Sequence, residues 1–142
     1  GTMGCGALVL VVLLAATSCM QAPAPEDGML IHVTSGADDP HRVLMALSMA
    51  SMMADGRPVL VYFDIDGIEA VLADAPDLEY AHFASLHAAL ATLREKDVPL
   101  LACPGCLKAA GKSPADLAEG VEVAAKDRFF AFTNGRVVTL DY

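Results

Sequence analysis

Residues 59–67 read Val-Leu-Val-Tyr-Phe-Asp-Ile-Asp-Gly, an uninterrupted apolar run that ends in a polar loop. Such a run, bounded by turn-forming residues, predicts a short strand that is buried on both faces. Two other segments repeat the pattern: residues 29–33 (Met-Leu-Ile-His-Val) lead into Thr34, and residues 98–102 (Val-Pro-Leu-Leu-Ala) lead into Cys103. Strands of this kind are typical of parallel sheets, which are covered on both sides.

Helical patterns separate the three predicted strands. Asp39 and Pro40 supply an N-cap and a first-turn proline, so a helix is expected from there to about residue 55. Residues 85–96 carry leucines at helical spacing, which predicts a second helix. Shorter helices are expected near residues 68–72 and after Ser113. Strands that alternate with helices in this way indicate an α/β fold around a mainly parallel sheet.

The C-terminal segment carries a local turn signal. Residues 129–133 and 136–140 are rich in apolar residues and flank Asn134-Gly135. An Asn-Gly pair between two such runs is the strongest short-range indicator of a β-hairpin. The sequence therefore predicts that the sheet is completed by a C-terminal β-hairpin.

Length and composition narrow the class of protein. The chain has 142 residues, which favours one domain, and it is 55% hydrophobic and 19% charged, which excludes intrinsic disorder. The formal net charge is −9 at pH 7 and Trp is absent, so neither a phosphate-binding surface nor a platform for stacking bases is expected. Nucleic acid is therefore not a predicted partner.

The first residues have the pattern of a bacterial lipoprotein signal. Residues 7–16 are continuously apolar but too few to span a bilayer, and Ala-Thr-Ser at residues 16–18 precedes Cys19. This resembles a lipobox, in which Cys19 would carry lipid and begin the mature protein. The predicted organisation is a signal segment (1–18), a tether (19–28) and an α/β domain (29–142), anchored in the bacterial envelope and facing the periplasm. The alternative interpretation of the apolar run is a buried helix.

Three loops are expected to meet at one edge of the sheet. In open parallel sheets, ligands and chemistry gather at the carboxyl ends of the strands. The loops that follow the three predicted strands therefore define a pocket next to the cysteine pair. The predicted pocket residues are Thr34, Ser35, Gly36, Asp39, Asp64, Asp66, Pro104 and Gly105.

The reactive candidates are Cys103 and Cys106, which form a Cys-Pro-Gly-Cys motif. A cysteine between a strand end and a helix start meets unpaired backbone N–H groups, which favour the thiolate. Cys103 is the predicted nucleophile, and Cys106 could resolve a mixed disulfide; an inert buried pair or a static disulfide is the alternative. The pair follows the third strand, which argues against a thioredoxin-like assignment. A zinc ribbon would need a second pair of Cys or His ligands, and the sequence has no such pair at the required spacing.

Two further groups have structural interpretations. His32 lies in the middle of an apolar strand, which favours a histidine whose polar atoms are satisfied in the core. Four methionines are spaced as a helical stripe, which could bind Cu(I) but is more typical of core packing. These methionines are Met45, Met49, Met52 and Met53.

The motifs occur in a recognisable order. Thr34-Ser35-Gly36 precedes the helix that starts at Pro40, residues 63–67 end the second strand, and Gly111 follows Cys103 by eight residues. Together they resemble the DsrE/DsrF-like sulfur-relay family over residues 29–142. The resemblance implies a flavodoxin-like three-layer α/β sandwich that assembles as a homotrimer or homohexamer. It also implies that Cys103 accepts sulfur as a persulfide.

Three functions remain open from the sequence. The first is a sulfane sulfur carrier or a sulfurtransferase that uses Cys103 and exchanges sulfur with a donor or acceptor protein or a small thiol. The second is a module that binds a soft metal, Cu(I), through Cys103 and Cys106. The third is a non-catalytic domain that binds a small ligand or a partner, with incidental cysteines. The sequence does not decide whether the chain is an enzyme.

Overall fold

The computed structural model describes residues 1, 24 and 26–142. Its five strands form one sheet in the order β4-β3-β2-β1-β5, and every neighbouring pair is parallel. The strands are β1 (Gly28–Val33), β2 (Val59–Phe63), β3 (Leu100–Ala102), β4 (Val121–Val123) and β5 (Val137–Asp141). The α-helices are α1 (Pro40–Met53), α2 (Leu86–Glu95), α3 (Pro104–Ala109) and α4 (Lys126–Phe132), and 3-10 helices span Ile65–Val71 and Pro114–Asp116.

Helices flank the sheet, and the main core lies on one side of it. The side chains that alternate along the central strands, among them Ile31, Val61 and Phe63, are fully buried there. They pack in one cluster with α1 and α2, whose buried leucines repeat at helical spacing. The predicted α/β fold with these two helices and the strands at β1, β2 and β3 is confirmed.

The opposite face of the sheet is covered by α4. Leu60 and Leu101 are buried on this face, whereas His32 and Tyr62 on the same face are only half-buried. Phe129 of α4 packs edge-on against the Tyr62 ring, with 5.3 Å between ring centroids. Polar side chains on this face consequently remain accessible near the carboxyl ends of the strands.

The predicted C-terminal hairpin is wrong. Residues 126–132 form α4, and β5 runs parallel to β1. Because β4 and β5 lie at opposite edges of the sheet, the segment between them must cross the whole sheet, and a helix does so while it packs Phe129 on Tyr62 and Phe132 on Gly28. These ring contacts and the pairing of β5 with β1 outweigh the local preference of the Asn-Gly pair, which instead turns the chain from α4 into β5.

Several smaller expectations also change. The short strand β4 was not predicted, the third strand begins at Leu100, and the helices near residues 68 and 114 are 3-10 helices. The methionine stripe is not a core stripe throughout, since the Met52 side chain is 57% exposed and Met45 and Met49 are half-buried. α1 packs on the sheet through smaller residues, so its methionines lie at the border of the core.

The predictions for the N-terminal segment concern residues outside those described. The signal segment and Cys19 are not among the residues whose structure is given, and of the tether only Ala24 and residues 26–28 are. In the described part of the chain, no helix has the length and apolar character needed to span a bilayer.

Candidate functional site

Residues that follow three neighbouring strands are aligned in a row at the carboxyl edge of the sheet. The backbone N–H of Cys103 donates to the carbonyl of Phe63 at 2.8 Å, and the N–H of Asp64 donates to the carbonyl of Val33 at 3.1 Å. Each residue is thus held by the last carbonyl of the adjacent strand. The parallel register therefore brings Cys103 and Asp64 together.

The Cys103 sulfur lies at the start of α3. It accepts a hydrogen bond from the backbone N–H of Cys106, with a sulfur-to-nitrogen distance of 3.4 Å, and the side chain is half-buried. Partial burial raises the pKa of the Cys103 thiol. Hydrogen bonds from the Tyr62 hydroxyl and from the N–H groups of Cys106 and Gly105 outweigh that effect, so the net shift of the pKa is downward. The thiolate is the nucleophilic form of cysteine.

Tyr62 is a site residue that the sequence analysis did not single out. Burial first, and then the neighbouring Cys103, raise the pKa of the Tyr62 hydroxyl far above its ordinary value. Tyr62 therefore keeps its proton, and its hydroxyl favours the Cys103 thiolate. Period-two alternation places it on the face opposite Phe63, but the pairing with β3 is needed to bring it to the cysteine.

Cys106 differs from Cys103 in its environment. The backbone N–H of Ile65 favours its thiolate, but the adjacent Cys103 sulfur, burial and the charge of Asp64 together raise the pKa of Cys106. Ile65 has φ of 51° and is 62% exposed. A left-handed conformation is unfavourable for a β-branched residue, and such strain is often found where the backbone serves a site. Ile65 is the residue whose N–H favours the Cys106 thiolate.

His32 connects two carboxylates on the accessible face of the sheet. Its Nε2 lies 2.9 Å from Oδ1 of Asp64, and its Nδ1 lies 2.7 Å from Oδ1 of Asp141. Burial lowers the pKa of His32, but hydrogen bonds and charge from both carboxylates outweigh it, so the pKa is raised. The ring stacks on Tyr62 with 5.8 Å between centroids. His32 is satisfied as expected, but by carboxylates rather than within the core.

The sequence profile of the DsrE/DsrF-like family matches residues 28–139. The chain belongs to the DsrE/DsrF-like family. The family resemblance noted from the motifs is therefore confirmed.

Two solved structures are similar to this DsrE/DsrF-like chain in fold. The YchN protein of E. coli has a TM-score of 0.56 and 16% identity, and the match covers 81% of this chain and 99% of that chain. The MTH1491 protein of Methanobacterium thermoautotrophicum, described as of unknown function, has a TM-score of 0.61 and 21% identity, covering 81% and 100%. At these identities the likeness concerns the fold alone. No curated protein sequence matches the chain.

The other predicted pocket residues of this DsrE/DsrF-like chain have mixed surroundings. Pro104 and Gly105 are exposed in the first turn of α3, between the two cysteines. Asp66 is exposed at the start of the first 3-10 helix, and its backbone carbonyl packs against Gly36. Ser35 is half-buried in the loop after β1. Of these residues, Gly105 acts on the site through its backbone N–H, which favours the Cys103 thiolate.

Thr34 and Asp39 have contacts that explain them structurally. The Thr34 hydroxyl donates to the carbonyl of Tyr142 at 2.9 Å, which ties the loop after β1 to the C-terminus. Asp39 caps α1 by accepting from the N–H of Arg42 at 3.2 Å, and its other oxygen lies 3.1 Å from Nε of Arg42. Both side chains therefore stabilise the loop that borders the site.

The metal-ligating side chains at this site are those of Cys103 and Cys106. Within the described residues, no group of three or more His, Cys, Asp and Glu side chains is arranged to hold a metal ion. Cys103 and Cys106 are free thiols, and both are half-buried. The Cu(I) hypothesis stays a prediction that relies on this pair of sulfurs.

Proposed function

We propose that this protein is a thiol-based carrier of sulfane sulfur that uses Cys103, and that it hands the sulfur to an acceptor protein or a small thiol. The observation that carries the proposal is the surroundings of the Cys103 sulfur: it is half-buried at the carboxyl edge of the sheet and receives hydrogen bonds that lower its pKa. Membership of the DsrE/DsrF-like family supports it.

The loading step is a transfer of one sulfur atom. The Cys103 thiolate attacks the outer sulfur of a donor such as thiosulfate, the sulfur–sulfur bond of the donor breaks, and sulfite leaves with the electron pair of that bond. The product is a Cys103 persulfide, and the total charge is unchanged because one anion replaces another. An acceptor thiolate then attacks the outer sulfur and releases the Cys103 thiolate, so the cycle consumes no oxidant or reductant.

Cys106 allows a second reaction of the Cys103 persulfide. A Cys106 thiolate that attacks the inner sulfur of the persulfide forms a Cys103–Cys106 disulfide and releases hydrosulfide. Two cysteines are oxidised and the sulfane sulfur is reduced, so an external thiol must reduce the disulfide before the next cycle. Because the pKa of Cys106 is raised, this reaction is slowed at neutral pH, and the persulfide persists long enough for transfer.

Mass spectrometry of the reduced full chain tests the proposal. After exposure to thiosulfate or a small persulfide, the peptide that contains Cys103 gains about 32 Da, the mass of one sulfur atom. The gain is lost in Cys103→Ala. It is kept, and lives longer, in the matched control Cys106→Ala. If Cys103 of the wild-type chain is a free thiol and still gains no mass after this exposure, the carrier function is refuted.

Placement and partners remain predictions. We propose that the domain is held at the envelope by lipid on Cys19, faces the periplasm and acts as a homotrimer or homohexamer. The signal pattern and the family resemblance support these proposals. Whether the protein turns over as a sulfurtransferase depends on the acceptor, because a carrier and an enzyme use the same persulfide.

A further inference from the structure

His32 is positioned so that both of its ring nitrogens must donate. Carboxylate oxygens accept hydrogen bonds, and a neutral imidazole has only one N–H group. Asp64 and Asp141 lie within 2.9 and 2.7 Å of the two nitrogens, respectively. Only the imidazolium satisfies both contacts, so this geometry stabilises a positive charge on His32.

Asp64 is shared between this imidazolium and the cysteine pair. Its side chain is only 20% exposed, so solvent screens its charge weakly. The same carboxylate acts on the site, because its charge raises the pKa values of Cys106 and Tyr62. An uncompensated Asp64 would therefore disfavour a negative charge on the Cys106 sulfur, and through it on the coupled cysteine pair.

The third contact of His32 is with Tyr62. β1 and β2 pair so that His32 and Tyr62 are register partners, and their rings stack at 5.8 Å. The attraction of a cation for the face of an aromatic ring helps to hold the Tyr62 ring in place. The Tyr62 hydroxyl in turn favours the Cys103 thiolate and lowers the pKa of that thiol. Asp141, His32, Tyr62 and Cys103 thus form a continuous row across four neighbouring elements.

We propose that His32 is a positioning residue for the cysteine pair: its imidazolium neutralises Asp64 at the carboxyl edge of the sheet and holds the ring of Tyr62, the residue on the strand next to the cysteines. This inference rests on the proposed function in one respect, namely that the stabilised thiolate is used for sulfur transfer. The electrostatic effect itself concerns ionisation of the thiols and is measurable without any sulfur donor.

The charged and titratable groups around His32 come from every neighbouring element. Tyr62 and Asp64 belong to β2 and the loop after it, Asp141 belongs to β5, and the two cysteines of α3 lie beyond Asp64. On the same face, α4 and β4 contribute the Arg128–Glu122 ion pair. That pair is internally neutral, and α4 also carries the exposed Lys126 and Asp127. Among the described residues, Asp64 and Asp141 are the carboxylates that contact His32.

The test is the pH profile of thiol alkylation in the full chain. Iodoacetamide modifies the thiolate, and mass spectrometry of the peptide that contains Cys103 and Cys106 follows both sites. In His32→Gln the apparent midpoint of the coupled pair rises by about one pH unit. The alkylation rate at neutral pH falls by roughly threefold to tenfold, since fewer thiolates are present.

A second substitution separates electrostatics from a loss of structure. Asp64→Asn in the His32→Gln background removes the uncompensated charge and returns the midpoint towards the wild-type value. Asp66→Asn, the same change on an exposed carboxylate with no bond to His32, does not. The proposal is wrong if His32→Gln lowers the melting temperature but leaves the midpoint in place, or if Asp64→Asn gives no recovery. If the protein forms no persulfide, the alkylation midpoint of His32→Gln and its recovery with Asp64→Asn can still be measured. The two proposals can therefore fail separately.

Discussion

At the Cys103 sulfur, two physical effects oppose each other. Burial penalises the thiolate, whereas hydrogen bonds from the Tyr62 hydroxyl and the backbone N–H groups stabilise it, and the second effect is larger. Cys106, three residues later, has the opposite balance because it is next to both the first sulfur and Asp64. The two cysteines of one short motif are thereby suited to different roles, one as nucleophile and one as a slower, resolving thiol.

The paired His32 predicts a pH dependence of stability. The folded-state pKa of His32 is raised above its unfolded value of about 6.5. Its contribution to the free energy of unfolding is therefore fully present below pH about 6.5 and is lost as the pH rises through the folded pKa. Chemical denaturation of wild type and His32→Gln from pH 5 to 9 checks this. The wild-type advantage should shrink with rising pH; an advantage that grows would contradict the ion pairs.

Residues at this site differ in how well sequence reasoning found them. Cys103 was predictable, because a strand end followed by Pro-Gly-Cys is a local pattern. Tyr62 and Asp141 were not, since their roles depend on strand pairing between distant parts of the chain. Asp141 in particular was missed because the sequence predicted a hairpin. The parallel pairing of β5 with β1, which brings Asp141 next to His32, was not expected.

At the scale of single elements, the start of α1 gives a test of Asp39. Asp39→Ala removes the cap of α1 and should lower the free energy of unfolding by about 1 kcal/mol. Asp39→Ser, which can also cap, should restore most of it. Thermal or chemical denaturation measures both.

The same variants separate a structural Asp39 from a chemical one. Because its oxygens contact only α1, at the N–H and Nε of Arg42, persulfide formation at Cys103 should be unchanged in Asp39→Ala. A loss of persulfide in a folded Asp39→Ala protein would instead give this predicted pocket residue a role in the reaction.

The first 3-10 helix is the element that joins the β1 loop to the cysteines. Gly67 lies so close to the carbonyl of Val33 that no Cβ would fit, and its N–H donates to the carbonyl of Thr34 at 3.1 Å. This anchoring holds the 3-10 helix that begins at Ile65, the residue whose N–H favours the Cys106 thiolate. The composition of the Asp-Ile-Asp-Gly loop indicated a turn, but its contact with β1 was not readable from the loop alone.

For the whole molecule, the family resemblance predicts an assembly of three or six copies. Size-exclusion chromatography with light scattering on the full chain, in detergent if lipid is attached, measures the mass directly. A chain that stays monomeric at micromolar concentration would contradict the prediction. Half-buried and exposed methionines along α1, such as Met52 at 57%, supply apolar surface that an assembly could cover.

The sequence alone determined the central architecture of this protein. Buried apolar runs, helix caps and helical leucine spacing are local signals, and they correctly located β1, β2, α1, α2 and the cysteine motif. These signals are sufficient to locate the elements because the hydrophobic periodicity of each segment indicates which of its faces is buried.

Only the tertiary structure decided the C-terminal third and the surroundings of the sulfurs. The Asn-Gly turn favoured a hairpin, yet the packing of the half-buried Phe129 and Phe132 on the sheet and the pairing of β5 with β1 favoured a crossing helix. The same pairing brings Asp141 to His32, and β2 brings Tyr62 to Cys103. Such contacts join residues far apart in the chain, so their energies enter only when the sheet has formed.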